Sequence, residues 1–205
     1  MSLFPMFVKL AGRRVVVVGG GEIATGKIAS LLQSGANVHI VSPALNSALA
    51  TLVRENEIEW SEKEFTPGDL EGAFLVIAAT SIPTVNESVY RAADARGLLC
   101  NAVDDIQNCH FYYGSIVQRG DLQIAISTNG KSPALAQRLR RELEAQFGPE
   151  YESWIEWLGA AREVLRAAGA AQEQNKEVLH HLASRGMFDQ FVRDSKRAPS
   201  MEGVQ

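Results

Sequence analysis

The sequence predicts an α/β protein: a doubly wound parallel sheet, followed by a hairpin-plus-helix unit and a small helical C-terminal part. Three observations carry that expectation. Across the first half, β-branched runs alternate with stretches of helical period, one strand–helix unit every 20–30 residues or about that. Past residue 105 the alternation gives way to two β-rich runs separated by a Gly-Asp turn. From residue 133 onward only helical spacing remains.

In order, residues 14–18 form a β-branched run, a buried strand. Gly19-Gly20-Gly21 turns the chain into a helix over 22–34, stopped by Gly35. Residues 37–41 are the second strand, ended by Ser42-Pro43. Helix 44–55 places Leu45, Leu49, Leu52 and Val53 on one face, and 58–61 is a short edge strand. A strand over 73–79, a helix over 85–96 ended by Gly97, and a fifth strand over 98–103 complete the sheet. The hairpin pairs 111–117 with 122–127 through Gln118-Arg119-Gly120-Asp121. Ser132 is an N-cap and Pro133 a first helical residue, and that helix runs to about residue 147, before Gly148-Pro149. Trp154, Leu158, Ala161 and Leu165 recur at helical spacing, so the two tryptophans Trp154 and Trp157 are expected to pack rather than to stack on a ligand. Val178, Leu179 and Leu182 mark a further helix, and the last ten residues read as a frayed tail. Three parts follow: residues 1–110, 111–148 and 149–205. The middle part is too small to bury both its faces alone, so two copies are expected to pair through it in a homodimer.

Composition narrows the function classes. With 46% hydrophobic and 21% charged residues and no run of 18 apolar residues, a membrane span is not expected. Residues 1–7 lack the basic leader and apolar core of a secretory signal, and two cysteines are too few for a disulfide scaffold, so a cytoplasmic protein is expected. A net charge of −4 argues against nucleic-acid binding. The charge is uneven, however. Between residues 111 and 141, Arg119, Lys131, Arg138, Arg140 and Arg141 face Asp121 alone, a local charge of +4. That island fits an anionic partner and equally a solvated helix face. Cys109 and His110 are adjacent and have no further ligand at metal-motif spacing, so they are read as structural and no metal site is expected.

The chemistry begins at Gly19-Gly20-Gly21-Glu22-Ile23-Ala24. It fits G-x-G-x-x-[G/A] after a strand and at the start of a helix, the setting of a Rossmann-type dinucleotide site. Gly19 serves the turn, Gly21 leaves room for a pyrophosphate, and the backbone of Glu22 and Ile23 offers N–H groups at the helix start. The acid that usually grips a ribose at the end of the second strand is missing. Ser42, Pro43 and Ala44 stand there instead, and the lack of an arginine favours NAD over NADP. Asp104 follows the fifth strand on the ligand-bearing edge of such a sheet, where it could take a proton or simply open a turn with Asp105.

Four segments together resemble the precorrin-2 dehydrogenase and sirohydrochlorin ferrochelatase family, the N-terminal part of sirohaem synthase. They are residues 3–10, Leu3-Phe4-Pro5-Met6-Phe7-Val8-Lys9-Leu10; the glycine turn with Lys27; Ile77-Ala78-Ala79-Thr80 with Asn86, and Asn101-Ala102-Val103-Asp104; and 126–136 around Thr128-Asn129-Gly130-Lys131-Ser132-Pro133. The resemblance covers roughly residues 3–145. Gly26 departs from it, standing where the family carries arginine, and Gly114 stands where it carries proline. The resemblance implies NAD-dependent oxidation of precorrin-2 to sirohydrochlorin, with Asp104 catalytic, Thr80 added to the cofactor set, and a homodimer. It implies a tetrapyrrole substrate with eight carboxylates, for which Thr128, Lys131, Arg138 and Arg141 are the candidate partners. Insertion of Fe²⁺, then a substrate, is the alternative activity, and a non-catalytic NAD-sensing module is the alternative of another class.

Overall fold

The computed structural model describes residues 3–169 and 172–197. It divides into two compact units, residues 4–113 and those from 114 on. The first unit is laid out as β1 (Arg14–Val18), α1 (Glu22–Gln33), β2 (Asn37–Ser42), α2 (Ser47–Arg54), β3 (Glu59–Glu62), β4 (Leu75–Ala78), α3 (Pro83–Asp94) and β5 (Leu99–Ala102). All five strands are parallel, in the order β3-β2-β1-β4-β5.

The four valines of β1 explain why the sheet is covered on both sides. Val15 and Val17 pack with Ala24, Ile28 and Leu31 of α1 and Leu49 of α2. Val16 and Val18 point the other way, onto Val89, Ala92 and Ala93 of α3 and onto Leu70. None of the four is more than 2% exposed, the two-sided burial that turns a parallel strand into a continuous apolar run. Burying a valine side chain contributes about 1.5–3 kcal/mol, so this strand is a principal anchor of the unit.

Local chemistry moves several boundaries. α2 begins at Ser47 rather than 44, because the Asn46 side chain accepts from the Leu49 N–H at 3.0 Å and caps the helix there. α3 begins at Pro83, whose missing N–H and fixed φ suit a first helical position. A 3-10 turn at Pro67–Leu70, absent from the sequence reading, is closed by the Asp69 carboxylate accepting from the Thr66 N–H at 2.7 Å.

The second unit holds β6 (Ser115–Arg119), β7 (Leu122–Ile126), α4 (Pro133–Gln146), α5 (Glu150–Ala167), α6 (Gln172–Leu182) and α7 (Arg185–Arg197). The hairpin is antiparallel and closes on Arg119↔Leu122, so its turn is Gly120-Asp121 and not the four residues expected. Gly120 takes φ +53, which a two-residue hairpin turn requires. The expected strand over 111–117 starts late because its first residues belong elsewhere: Asn101 Nδ2 donates to the Phe111 carbonyl at 2.8 Å, and Phe111 packs on the sheet core of the first unit. A Cβ at Gly114 would stand 2.8 Å from the Ile126 carbonyl oxygen, so the hairpin itself demands glycine there.

The C-terminal helices gather an aromatic core. Trp154, 5% exposed, stacks on Trp157 at 5.1 Å and meets Phe188 and Phe191 of α7. Trp154 therefore packs, while Trp157 touches Trp154 and Phe191 yet stays 37% exposed. α7 was not anticipated, and Lys196 and Arg197 of the expected tail are its last turn; residues 198–205 lie outside the described residues.

Candidate cofactor and catalytic sites

A cavity of about 720 Å³ opens at the C-terminal ends of β1, β2 and β4, where the strand order reverses on either side of β1. This switch point is where a doubly wound sheet takes a ligand. All eight cofactor candidates line it: Gly19, Gly21, Glu22 and Ile23 from the glycine turn, Ser42, Pro43 and Ala44 after β2, and Thr80 after β4. The three glycines have different reasons to be there. Gly19 adopts φ +124 and a Cβ on it would stand 2.4 Å from the Ala79 carbonyl oxygen. A Cβ on Gly20, not singled out from sequence, would stand 2.0 Å from the Ala44 oxygen. A Cβ on Gly21 would meet nothing within 4 Å, so Gly21 is spared for whatever enters the cavity. No side chain caps α1, whose first N–H groups are left for an anion. The donor set and the glycine cradle fit a dinucleotide.

Other candidates have internal duties. Ser42 is buried, and its hydroxyl donates to the Ala44 carbonyl at 2.8 Å, which leaves only its lone pairs for a ribose. Thr80 is held by buried Asn86, whose Oδ1 accepts from the Thr80 N–H and hydroxyl at 3.1 and 2.7 Å. Sequence reasoning missed Glu64 and Phe65, which reach the cavity from the loop after β3. Two carboxylates, Glu22 and Glu64, line it, and among the described residues no lysine or arginine does, which disfavours a 2′-phosphate.

Asp104 crowns the loop after β5. Two acids stand there, and their side chains are bonded differently. Both belong to turns: Asp104 is central in the one that the Asp105 N–H closes on the Ala102 carbonyl at 3.2 Å, and the Asp105 oxygens hold the next one, accepting from the Gln107 N–H at 3.2 Å and from Asn108 Nδ2 at 2.6 Å. Asp104 is exposed, sits at φ +64, and has no hydrogen-bond or ion-pair partner among the described residues. The loop beneath is tied down by buried Asn101 and by the Cys109 thiol, which donates to the carbonyls of Ala102 and Asp105. Burial pushes the Cys100 thiol up to about 12 and also raises that of Cys109, so both stay protonated at neutral pH. His110 accepts from the Cys100 N–H through Nδ1 and meets Asp94 through Nε2 at 3.1 Å, so both ring nitrogens are committed. Among the described residues no group of three or more His, Cys, Asp or Glu is arranged to hold a metal.

The basic island is more divided than its charge suggests. Arg119 donates to the carbonyls of Phe147 and Glu144 at 2.9 and 3.2 Å and so caps the end of α4. Arg138 pairs with Glu142 and Arg140 with Glu144, two acids lying just beyond the 111–141 window. Lys131 and Arg141 are exposed, and neither joins an ion pair among those described. The Thr128 hydroxyl accepts from the Ser132 N–H at 3.1 Å and closes the loop that carries Lys131. A larger cavity, about 820 Å³, lies between α5 and α6 and includes none of the candidate residues. No helix of the described residues is long and apolar enough to cross a membrane.

Comparison with known proteins adds the family. Residues 6–115 match the family described as "Putative NAD(P)-binding", and residues 119–146 match the central segment of sirohaem biosynthesis proteins. The siroheme synthase of Photorhabdus laumondii is 38% identical over 196 residues, and siroheme synthase 1 of Pectobacterium atrosepticum 42% identical over 188. These alignments take in 96% and 92% of this chain but 42% and 37% of the relatives, so the chain spans less than half the length of the curated relatives it matches. The solved structure titled SirC, precorrin-2 dehydrogenase, has the same fold, with a TM-score of 0.79 at 24% identity over 95% of this chain and all of that one. With residues 6–115 built around the glycine cavity, the chain belongs to the putative NAD(P)-binding family, and the segment that follows is similar to the central part of sirohaem biosynthesis proteins.

Proposed function

We propose that the chain oxidises precorrin-2 to sirohydrochlorin with NAD⁺, and that Asp104 receives the proton released. The observation that carries this reading is an exposed carboxylate with no hydrogen bond among the described residues, Asp104, on the C-terminal edge of the sheet whose switch point holds the glycine cavity. NAD⁺, when bound, supplies the hydride acceptor. The substrate gives up one hydride and one proton, so NADH and H⁺ are the balancing products. Gly21 and the uncapped start of α1 take the pyrophosphate, while Glu22 and Glu64 keep a 2′-phosphate out. The siroheme synthase relatives support the substrate class.

Thr128, Lys131, Arg138 and Arg141 are the proposed partners of substrate carboxylates, Lys131 and Arg141 foremost because among the described residues no acid pairs with either. Replacing both by methionine is expected to raise KM for precorrin-2 by about tenfold or more and to leave NAD⁺ affinity unchanged. Unchanged KM would return them to solvated surface. The two free cysteines and the use of NAD⁺ fit the cytoplasm, a placement that cell fractionation checks.

The deciding experiment is anaerobic incubation with precorrin-2 and NAD⁺, following NADH and product absorbance, with a parallel arm containing Fe²⁺. Stoichiometric NADH supports the reading; NAD⁺ binding without turnover would leave an NAD-sensing module. Metal-dependent conversion of the product in the second arm would establish Fe²⁺ as a further substrate. The same preparation is expected to sediment at twice the 22.3 kDa chain mass, through the β6–β7 and α4 unit.

A further inference from the structure

Lys27 is a half-buried cation of the first unit that no acid pairs with among the described residues. Lys27 projects from α1, six residues past Gly21, yet does not line the glycine cavity. Its Nζ sits 4.0 Å from the centroid of the Tyr113 ring. It is half-buried, and among the described residues its ammonium makes no ion pair and no hydrogen bond. An ammonium carries three donors, and a ring face satisfies only part of that demand.

We propose that Lys27, seated on the Tyr113 ring and beside Asp104, is an anchor for one carboxylate of the substrate. The assignment rests on the dehydrogenase reading above, which supplies a polycarboxylate as the ligand. Three features of the cluster fit it. The partial burial that strengthens an ion pair is already in place, since desolvation lowers the Lys27 pKa and the charge of Asp104 opposes that shift. Tyr113 gives the ammonium a fixed seat, and desolvation pushes its phenol up to about 12, so the ring stays neutral at physiological pH and its face stays attractive to a cation. A substrate carboxylate arriving next to Asp104 would meet like charge, and Lys27 is the group there that offsets it. The pyrophosphate is the poorer candidate for this ammonium, because Lys27 stands outside the cavity that the glycine turn forms.

The test separates binding from chemistry. NAD⁺ affinity is read by calorimetry, turnover by anaerobic NADH production, and tetrapyrrole binding by fluorescence quenching of uroporphyrin III, an octacarboxylate that has no hydride to give. Lys27→Met is expected to raise KM for precorrin-2 and the Kd for uroporphyrin III by about 10–100-fold, the usual effect of losing a charge-assisted hydrogen bond. Its kcat is expected to stay within about threefold of wild type and its NAD⁺ affinity to be unchanged, which also verifies the fold. Lys27→Arg restores most of the loss. Tyr113→Leu, which removes the seat and keeps the charge, raises both constants by a smaller factor, about threefold. Wild-type KM and porphyrin affinity in Lys27→Met would overturn the anchor. So would a fall in kcat alone, which would make Lys27 a partner of Asp104 rather than of the substrate, and so would weakened NAD⁺ binding. If wild type binds the porphyrin through Lys27 but fails to oxidise precorrin-2, the anchor stands and the dehydrogenase reading falls.

Discussion

Gly21→Val is expected to leave the protein folded while weakening NAD⁺ binding more than about 100-fold, a loss of about 2.7 kcal/mol or more. The separation follows from what surrounds each glycine of the turn. A side chain on Gly21 enters open space and touches no protein atom within 4 Å, so the thermal midpoint should hardly move. The same side chain fills the place that a pyrophosphate needs in order to reach the α1 N–H groups. Gly19→Ala provides the contrast. Its backbone is at φ +124, and its Cβ would press on the Ala79 oxygen at 2.4 Å, so strain and overlap together should cost about 2–4 kcal/mol of stability. Calorimetry with NAD⁺ and a thermal melt on both variants read the two effects independently. Wild-type NAD⁺ affinity in Gly21→Val would remove the cofactor from this cavity.

What could be read from the sequence was whatever is local. The β1 valines announce a strand buried on both faces, and the glycine turn, placed between that strand and α1, announces the cavity; all eight residues drawn from those two signals and the next strand ends meet in one place. What could not be read depends on partners distant in sequence. Glu64 and Phe65 enter the cavity because β3 is added at the edge beside β2, and no local pattern marks them. The first residues of the expected hairpin strand are held back by Asn101, ten positions before Phe111. α7 has Met187, Phe188, Phe191 and Val192 among charged residues, a thin stripe that becomes a helix face once Tyr151 and Trp154 of α5 are there to cover Phe188. The basic island is less positive than the 111–141 window suggests: Glu142 and Glu144 each lie four residues past an arginine, the helical spacing at which they pair. The two adjacent aspartates differ in a way that no local pattern marks: the Asp105 carboxylate accepts from Gln107 and Asn108, whereas that of Asp104 makes no hydrogen bond among the described residues.

That distinction makes Asp104→Asn the sharpest test of the chemistry. Asparagine keeps the size of the side chain but can neither accept the released proton nor carry charge. It is also, after glycine, among the residues that best tolerate the left-handed backbone found here at φ +64, so the loop should keep its shape where alanine would strain it. Asp105 and its bonds to Gln107 and Asn108 remain, and with them the turn. The glycine cavity does not include residue 104, so NAD⁺ affinity should be unchanged. A positioned proton acceptor is commonly worth about 10²–10⁴ in rate, and a kcat loss of that order at unaltered Kd for NAD⁺ is the expected result. His110 offers no substitute, because both its nitrogens are engaged with Cys100 and Asp94. If the Fe²⁺ arm is active in wild type, its parallel loss in this variant would mean that one carboxylate serves both reactions, and its survival would confine Asp104 to the dehydrogenation. NADH production within about threefold of wild type would remove Asp104 from the mechanism altogether.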